Sequence, residues 1–229
     1  MEFPSLADRL ARARVIVAEA QRRGGWTHPV RIVAVTKTHG PESVRAAAAA
    51  GLTDVGENRV QEALPKQSET ADVAVEWHLI GGLQRNKVRH AAGRFALIHT
   101  VDRDELAAEL QKRVAEGARQ GVLVQVNCSR EPQKGGVEPD ALPALLDSIS
   151  RYDRLELRGL MTMAAFDANE SAQRRTFAQL RALRDVAAGR GWSLPELSMG
   201  MSGDFAAAAE EGATMLRLGT LLFGERAQA

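Results

Sequence analysis

Hydrophobic and polar positions alternate along this chain in two rhythms. Residues Ser5 to Arg23 show the three-to-four-residue period of an amphipathic helix. Ser5 stands where an N-cap belongs, Asp8 where the second member of a capping box belongs, and Gly24-Gly25 marks the stop. From there the pattern becomes a repeat. Short, β-branched apolar runs are each followed by an alanine-rich helical stretch. The runs are Arg31–Thr36, Leu52–Val55, Glu76–Ile80, Ala96–Val101, Val122–Asn127, Leu155–Met163, Glu196–Met199 and Thr214–Leu218. Glycines at 51, 121 and 212 sit where helices would end.

Strand–helix alternation predicts a parallel sheet. About eight such units in ~200 residues match a (β/α)8 TIM barrel, here preceded by an extra N-terminal helix. A doubly wound open sheet is the competing arrangement, and the brevity of Glu196–Met199 is the weak point of the barrel. No linker, low-complexity tract or charge block interrupts the repeat, so a single domain over residues 1–229 is expected.

Composition narrows the class. Of 229 residues, 45% are hydrophobic and 26% charged, which suits an ordinary globular core. A formal net charge of +1 gives no field to gather nucleic acid or an anionic membrane surface. The first residues are charged throughout and carry no signal-peptide core. No apolar run approaches the ~20 residues of a membrane span. One cysteine, Cys128, leaves no internal disulfide. These features together predict a cytoplasmic chain, and its polar helices predict a monomer.

Three segments carry chemistry. The strand Arg31-Ile-Val-Ala-Val-Thr runs straight into Lys37, and Gly40-Pro41-Glu42 opens the next helix. Lys37 therefore falls at the C-terminal end of a barrel strand, the active face of this fold. A lysine desolvated there can attack a carbonyl as the free amine; a lysine at a strand end can also simply snorkel to solvent. Ser198-Met-Gly-Met-Ser202-Gly-Asp follows the seventh run, with Ser202 as N-cap of an alanine-rich helix from Asp204 to Glu211. The eighth run ends in Arg217-Leu-Gly219-Thr220. Loops after the seventh and eighth strands recur as phosphate sites in this fold, because helix N-termini and glycine turns present free N–H groups. Arg217 alternates against Leu216 and Leu218 and so points into the barrel. It needs either an internal carboxylate or a ligand acceptor, such as the ring nitrogen of pyridoxal 5′-phosphate (PLP).

With Lys37, Ser202 and Arg217 in place, the chain resembles the YggS/PROSC family of PLP homeostasis proteins. The matching stretches run in order along nearly the whole chain: Val33-Ala-Val-Thr-Lys37-Thr, Gly56-Glu-Asn-Arg-Val-Gln-Glu62, Trp77-His-Leu-Ile-Gly81, Leu83-Gln-Arg-Asn-Lys87, Ile98-His-Thr-Val-Asp102, Arg158-Gly-Leu-Met-Thr-Met163, Leu197-Ser-Met-Gly-Met-Ser202 and Arg217-Leu-Gly-Thr-Leu-Leu-Phe-Gly224. The resemblance implies a fold-type III barrel like that of alanine racemase, without its second domain. It implies a Schiff base between PLP and Lys37, and Arg217 against the pyridine nitrogen. Ser202, Gly219 and Thr220 would hold the phosphate, and Asn58 would lie beside the ring. Such a protein buffers PLP and supplies it to PLP-dependent apo-enzymes. Three departures stand out: Arg59 where many members have tyrosine, His39 where many have a second lysine, and a terminus Glu225-Arg-Ala-Gln-Ala229 without the lysines some relatives carry.

Other residues invite plainer readings. His78 and His99 fit no short metal motif and are expected to make structural hydrogen bonds, His78 being the one that could approach the cofactor. Cys128 is expected to be small and buried, and Trp77 to pack in the core or at its rim. Arg85, Lys87 and Arg89 read as the solvated face of one helix. No metal site and no catalytic residue are expected. A weak PLP-dependent amino-acid racemase is the alternative. It would need a second acid–base group opposite Lys37, and the chain's one tyrosine, Tyr152, falls on a loop before a strand. A Schiff-base aldolase acting on a phosphorylated sugar shares the barrel, lysine and phosphate site but predicts a colourless protein.

Overall fold

A computed structural model describes residues 3, 5–131, 134–165 and 167–224. Eight strands close into one parallel barrel in sequence order: β1 (Arg31–Val35), β2 (Asp54–Glu57), β3 (Glu76–Leu79), β4 (Leu97–Val101), β5 (Gln120–Gln125), β6 (Leu155–Met161), β7 (Glu196–Met201) and β8 (Met215–Leu218). β8 pairs with β1 in the register Arg31↔Met215 and Val33↔Arg217, which closes the ring and excludes the open sheet. The seventh strand has six residues rather than four, and β2 begins at Asp54 rather than Leu52.

Nine helices are described: α1 (Leu6–Gly24), α2 (Pro41–Ala49), α3 (Val60–Glu69), α4 (Val88–Ala91), α5 (Asp104–Arg113), α6 (Leu142–Ile149), α7 (Glu170–Gly189), α8 (Phe205–Glu210) and α9 (Thr220–Phe223). Their apolar stripes make the outer core. In α6, Leu142, Leu145, Leu146 and Ile149 recur at helical spacing and are all buried. They belong to one buried cluster with the outward strand residues, among them Leu160, Leu216 and Leu218. Each fully buried leucine contributes about 1.5–3 kcal/mol of hydrophobic stabilisation. The extra helix α1 lies along α8 and α9 and buries Leu6, Leu10, Ala13, Val17 and Ala20.

The barrel interior is a second, smaller core of mixed character. Leu97, Leu123, Met161 and Met215 fill one part with apolar side chains. Asp54, His78, His99, Ser198 and Arg217 occupy another, all buried. Period-two alternation puts both sets inward, because the neighbouring positions Val55, Leu79, Ile98, Leu197 and Leu216 belong to the outer core.

Several local expectations change. Ser5 makes no capping hydrogen bond, so the start of α1 rests on tertiary burial of Leu6 and Leu10 rather than on a capping box. Gly25 does end α1 in the left-handed conformation (φ 75°), and Gly51 and Gly212 (φ 79° and 91°) do the same after α2 and α8. Gly121 instead lies inside β5, where a Cβ would meet the Ala96 carbonyl oxygen at 2.7 Å. Strand crowding, not a helix terminus, is the reason for that glycine. Arg85 and Lys87 lie on a 3-10 turn and Arg89 on α4, so they share no single helix face. Among the described residues no helix is long and apolar enough to cross a membrane.

Candidate functional site

Lys37, Asn58, Ser202, Arg217, Gly219 and Thr220 all line one cavity of about 640 Å³ at the C-terminal mouth of the barrel. That volume lies within the range of small-molecule sites. Lys37 arrives there because β1 ends at Val35 and Thr38 turns the chain with φ 66°, which aims the strand's continuation across the mouth. Behind it, a buried pair fixes the strand end. Lys66 Nζ donates to the Thr36 carbonyl at 2.9 Å and to Glu57 Oε1 at 2.5 Å, and the Thr36 hydroxyl donates to the same oxygen at 2.6 Å. Glu57 is wholly buried and Lys66 nearly so. The sequence reading missed this pair. A glutamate at a strand end and a lysine nine residues on are unremarkable in sequence, and only the packing of α3 onto β2 joins them.

Asn58 is held by a close backbone approach. A Cβ on Gly81 would lie 2.3 Å from the Asn58 carbonyl oxygen, so only glycine lets the two loops pack.

The loops after β7 and β8 meet beside Lys37, because β8 is the strand that pairs with β1. The Ser202 hydroxyl accepts from the backbone N–H groups of Gly219 (3.2 Å) and Leu221 (3.1 Å). It therefore does not cap α8 as expected; the N-cap is Asp204. The Asp204 carboxylate accepts from the Met201 N–H at 2.5 Å and so braces the turn. Burial raises its pKa, against the opposing pull of that hydrogen bond and of Arg217. Gly200 (φ 92°) is required just before this turn, since a Cβ there would lie 2.5 Å from that of Ala208.

Arg217 points inward as its alternation requires and is 3% exposed. Its guanidinium donates to Ser198 Oγ (2.6 Å) and the Thr162 carbonyl (3.0 Å), not to a carboxylate. Burial lowers its pKa to about 10, which leaves it cationic at neutral pH. Two donor contacts inside the barrel leave further N–H groups for the cavity.

The cavity also reaches Asp102, Gln125 and Lys134, which the sequence reading did not select. Lys134 ion-pairs with Glu131 at 2.9 Å and donates to the Ala164 carbonyl. Its only sequence signal is the Gly135-Gly136 pair that follows. His78 and His99 make buried hydrogen bonds, as expected, but His78 lies below the cavity rather than in it. Cys128 is buried three residues past β5, and Trp77 packs half-buried against the outer core. Tyr152 donates to Asp104 at 2.9 Å and does not line the cavity. His39 packs edge-on against Phe3 at 5.5 Å, and Arg59 is exposed with Glu62 at 3.3 Å. The terminus Glu225–Ala229 lies outside the described residues.

Residues 13–227 match the family model described as alanine racemase, N-terminal domain. Over 222 residues the chain is 43% identical to the pyridoxal phosphate homeostasis protein of Aquifex aeolicus, covering 96% of this chain and 97% of that one. The Pseudomonas aeruginosa protein of the same name is 44% identical over 225 residues, covering 97% and 96%. PipY of Synechococcus elongatus, solved with PLP bound, superposes with a TM-score of 0.83 at 38% identity, covering 96% of this chain and 100% of PipY. Alanine racemase from Bacillus anthracis matches at a TM-score of 0.70 and 18% identity, with 56% of its length covered, and so shares the fold. With relatives more than 40% identical over 96–97% of its length, and the alanine racemase N-terminal domain matched over residues 13–227, the chain belongs to the family of pyridoxal phosphate homeostasis proteins.

Proposed function

We propose that this protein binds PLP reversibly in the cavity at the barrel mouth, through a Schiff base on Lys37, and serves to hold and release the cofactor inside the cell rather than to turn over a substrate. The observation that carries the reading is the convergence of three donor sets on one cavity. An amine, a buried guanidinium and the hydroxyl-bearing loops at Ser202 and Thr220 fit the aldehyde, ring nitrogen and phosphate of one PLP molecule. Bound PLP supplies a reactive aldehyde and an electron-accepting ring. The residues do the rest. The Lys37 amine condenses with the aldehyde and releases water. Ser202, Gly219 and Thr220 hold the phosphate oxygens, and Asn58 flanks the ring.

The absence of turnover rests on Arg217. A cationic guanidinium against the ring nitrogen leaves that nitrogen unprotonated, which weakens the ring as an electron sink. Tyr152 stands apart from the cavity, so it offers no second base opposite Lys37. The protein is read as a cytoplasmic monomer that passes PLP to apo-enzymes, with the barrel mouth as the exit.

The test is direct. PLP added to the purified protein should give a visible absorption band. Borohydride reduction should then fix the label on Lys37, and a Lys37→Ala variant should lose both. Label scattered over surface lysines would refute the site. Rapid exchange of an amino-acid α-hydrogen in heavy water would favour the racemase instead, and gel filtration checks the monomer.

A further inference from the structure

The barrel interior holds a column of polar groups that the cofactor site does not by itself explain. Arg217 Nη1 donates to Ser198 Oγ at 2.6 Å. Ser198 Oγ lies 2.9 Å from His99 Nδ1. His99 Nε2 lies 2.9 Å from His78 Nδ1, and His78 Nε2 lies 3.0 Å from Asp54 Oδ1. The residues come from β8, β7, β4, β3 and β2, so the column runs from the cavity floor toward the opposite mouth of the barrel. There Asp54 also meets the Arg31 guanidinium at 3.4 Å and the Thr53 hydroxyl at 2.9 Å.

The proton order along this column follows from donor and acceptor counting. Arginine only donates, so Ser198 Oγ accepts from it. The serine proton then has His99 Nδ1 as its acceptor. A neutral His99 carries its own proton on Nε2 and donates to His78 Nδ1. His78 in turn carries its proton on Nε2 and donates to the Asp54 carboxylate. Every link is satisfied once. The reverse order would put protons on His99 Nδ1 and Arg217 Nη1 both facing Ser198 Oγ and would leave the serine hydroxyl without this acceptor. The surroundings agree. Burial above all, with the charges of Arg217 and Arg31, holds His99 well below the usual imidazole range, so it stays neutral. Burial alone would raise the Asp54 pKa, but the hydrogen bonds from His78 and Thr53 outweigh it and keep the carboxyl ionised.

We propose that Ser198, His99, His78 and Asp54 form a one-directional hydrogen-bond relay that positions the Arg217 guanidinium toward the cofactor's ring nitrogen and ties the field there to a carboxylate at the far end of the barrel. These four are positioning residues: none of them lines the cavity. The part of this proposal that concerns the ring rests on the PLP reading above; the proton order does not.

Two measurements test it separately. The first uses protein without added PLP, labelled with 15N-histidine, and reads ring tautomers from long-range proton–nitrogen correlations. His78 and His99 should both be neutral and protonated on Nε2. Asp54→Asn should move the His99 nitrogen signals although His78 lies between, and Ser198→Ala should move the His99 Nδ1 signal. A proton on His99 Nδ1, or a doubly protonated ring at neutral pH, would overturn the relay. The second loads the same variants with PLP. Ser198→Ala should speed PLP release about tenfold, the scale of one hydrogen bond to a charged group. Asp54→Asn should shift the visible band of bound PLP, and that shift should vanish in the Ser198→Ala background. His99→Gln, which keeps a donor and an acceptor, should preserve the band better than His99→Leu. If Asp54→Asn lowers the melting temperature and leaves the band unmoved, the residues are structural only and the proposal fails. A wild-type protein that gives no band refutes the PLP reading and the claim about the ring nitrogen, while the nitrogen signals still decide the relay.

Discussion

The buried Lys66–Glu57 pair offers the sharpest test of how the site is braced. Lys66→Met removes the cation and keeps the length of the side chain. Glu57 is then a fully buried carboxylate whose remaining hydrogen bond is from the Thr36 hydroxyl, and its Oε2 already has no partner among the described residues. Breaking one member of a buried ion pair costs about 3–5 kcal/mol, because the survivor keeps its desolvation penalty. For a domain of this size each kcal/mol lowers Tm by roughly 2–4 °C, so a fall of about 10 °C is expected. The loss should be largely recovered in the double variant Glu57→Gln/Lys66→Met, where no charge is stranded and the amide still accepts from Thr36. Urea unfolding of wild type, both singles and the double gives the coupling directly. In the Lys66→Met variant PLP binding should weaken as well, since the Thr36 carbonyl next to Lys37 loses its anchor. A Lys66→Met protein destabilised by less than about 1 kcal/mol, or a double variant no more stable than that single, would refute the idea that the pair is desolvated and coupled.

Gly81→Ala should weaken PLP binding about tenfold and cost ~1–3 kcal/mol, because the new Cβ must push the Asn58 backbone aside; titration by absorbance and urea unfolding check both. Acid sensitivity should centre on Glu210, whose pKa is lowered from the usual carboxylate range to about 2 by hydrogen bonds from Arg174, then Arg23. A depressed carboxyl stabilises the fold above pH 4.5 and loses that contribution as pH falls toward 2. The Glu210→Gln variant should therefore show a shallower stability loss across that window, with the difference reduced by salt because the half-buried cluster reaches solvent through Arg23. Burial raises the Cys128 thiol to about 11, so a disulfide-exchange reagent at mildly alkaline pH should label it slowly in the folded protein and at once in denaturant.

Much of the architecture was legible in the sequence. Eight apolar runs separated by helical stretches require a parallel sheet, and the eighth run places an arginine between two leucines, so its inward direction is a matter of parity. The end of the first run puts Lys37 at the barrel mouth for the same reason. Local rules served less well where packing overrode them. Ser5 looks like a cap and is not one, Gly121 looks like a helix terminus and sits in a strand, and Ser202 looks like the cap of α8 and instead gathers N–H groups from the next loop.

What the sequence determined by itself is therefore direction: which side chains face inward and which strand ends open onto the active mouth. What only the tertiary structure decided is partnership. Ser198 and His99 stand 99 residues apart, and Lys66 and Glu57 belong to different layers. Their contacts depend on the barrel's closure and stagger and on how α3 lies across β2. Periodicity carries the facing of a residue, because that is a property of its own strand. The identity of its neighbour across the barrel is a property of the closed ring, and no local pattern contains it.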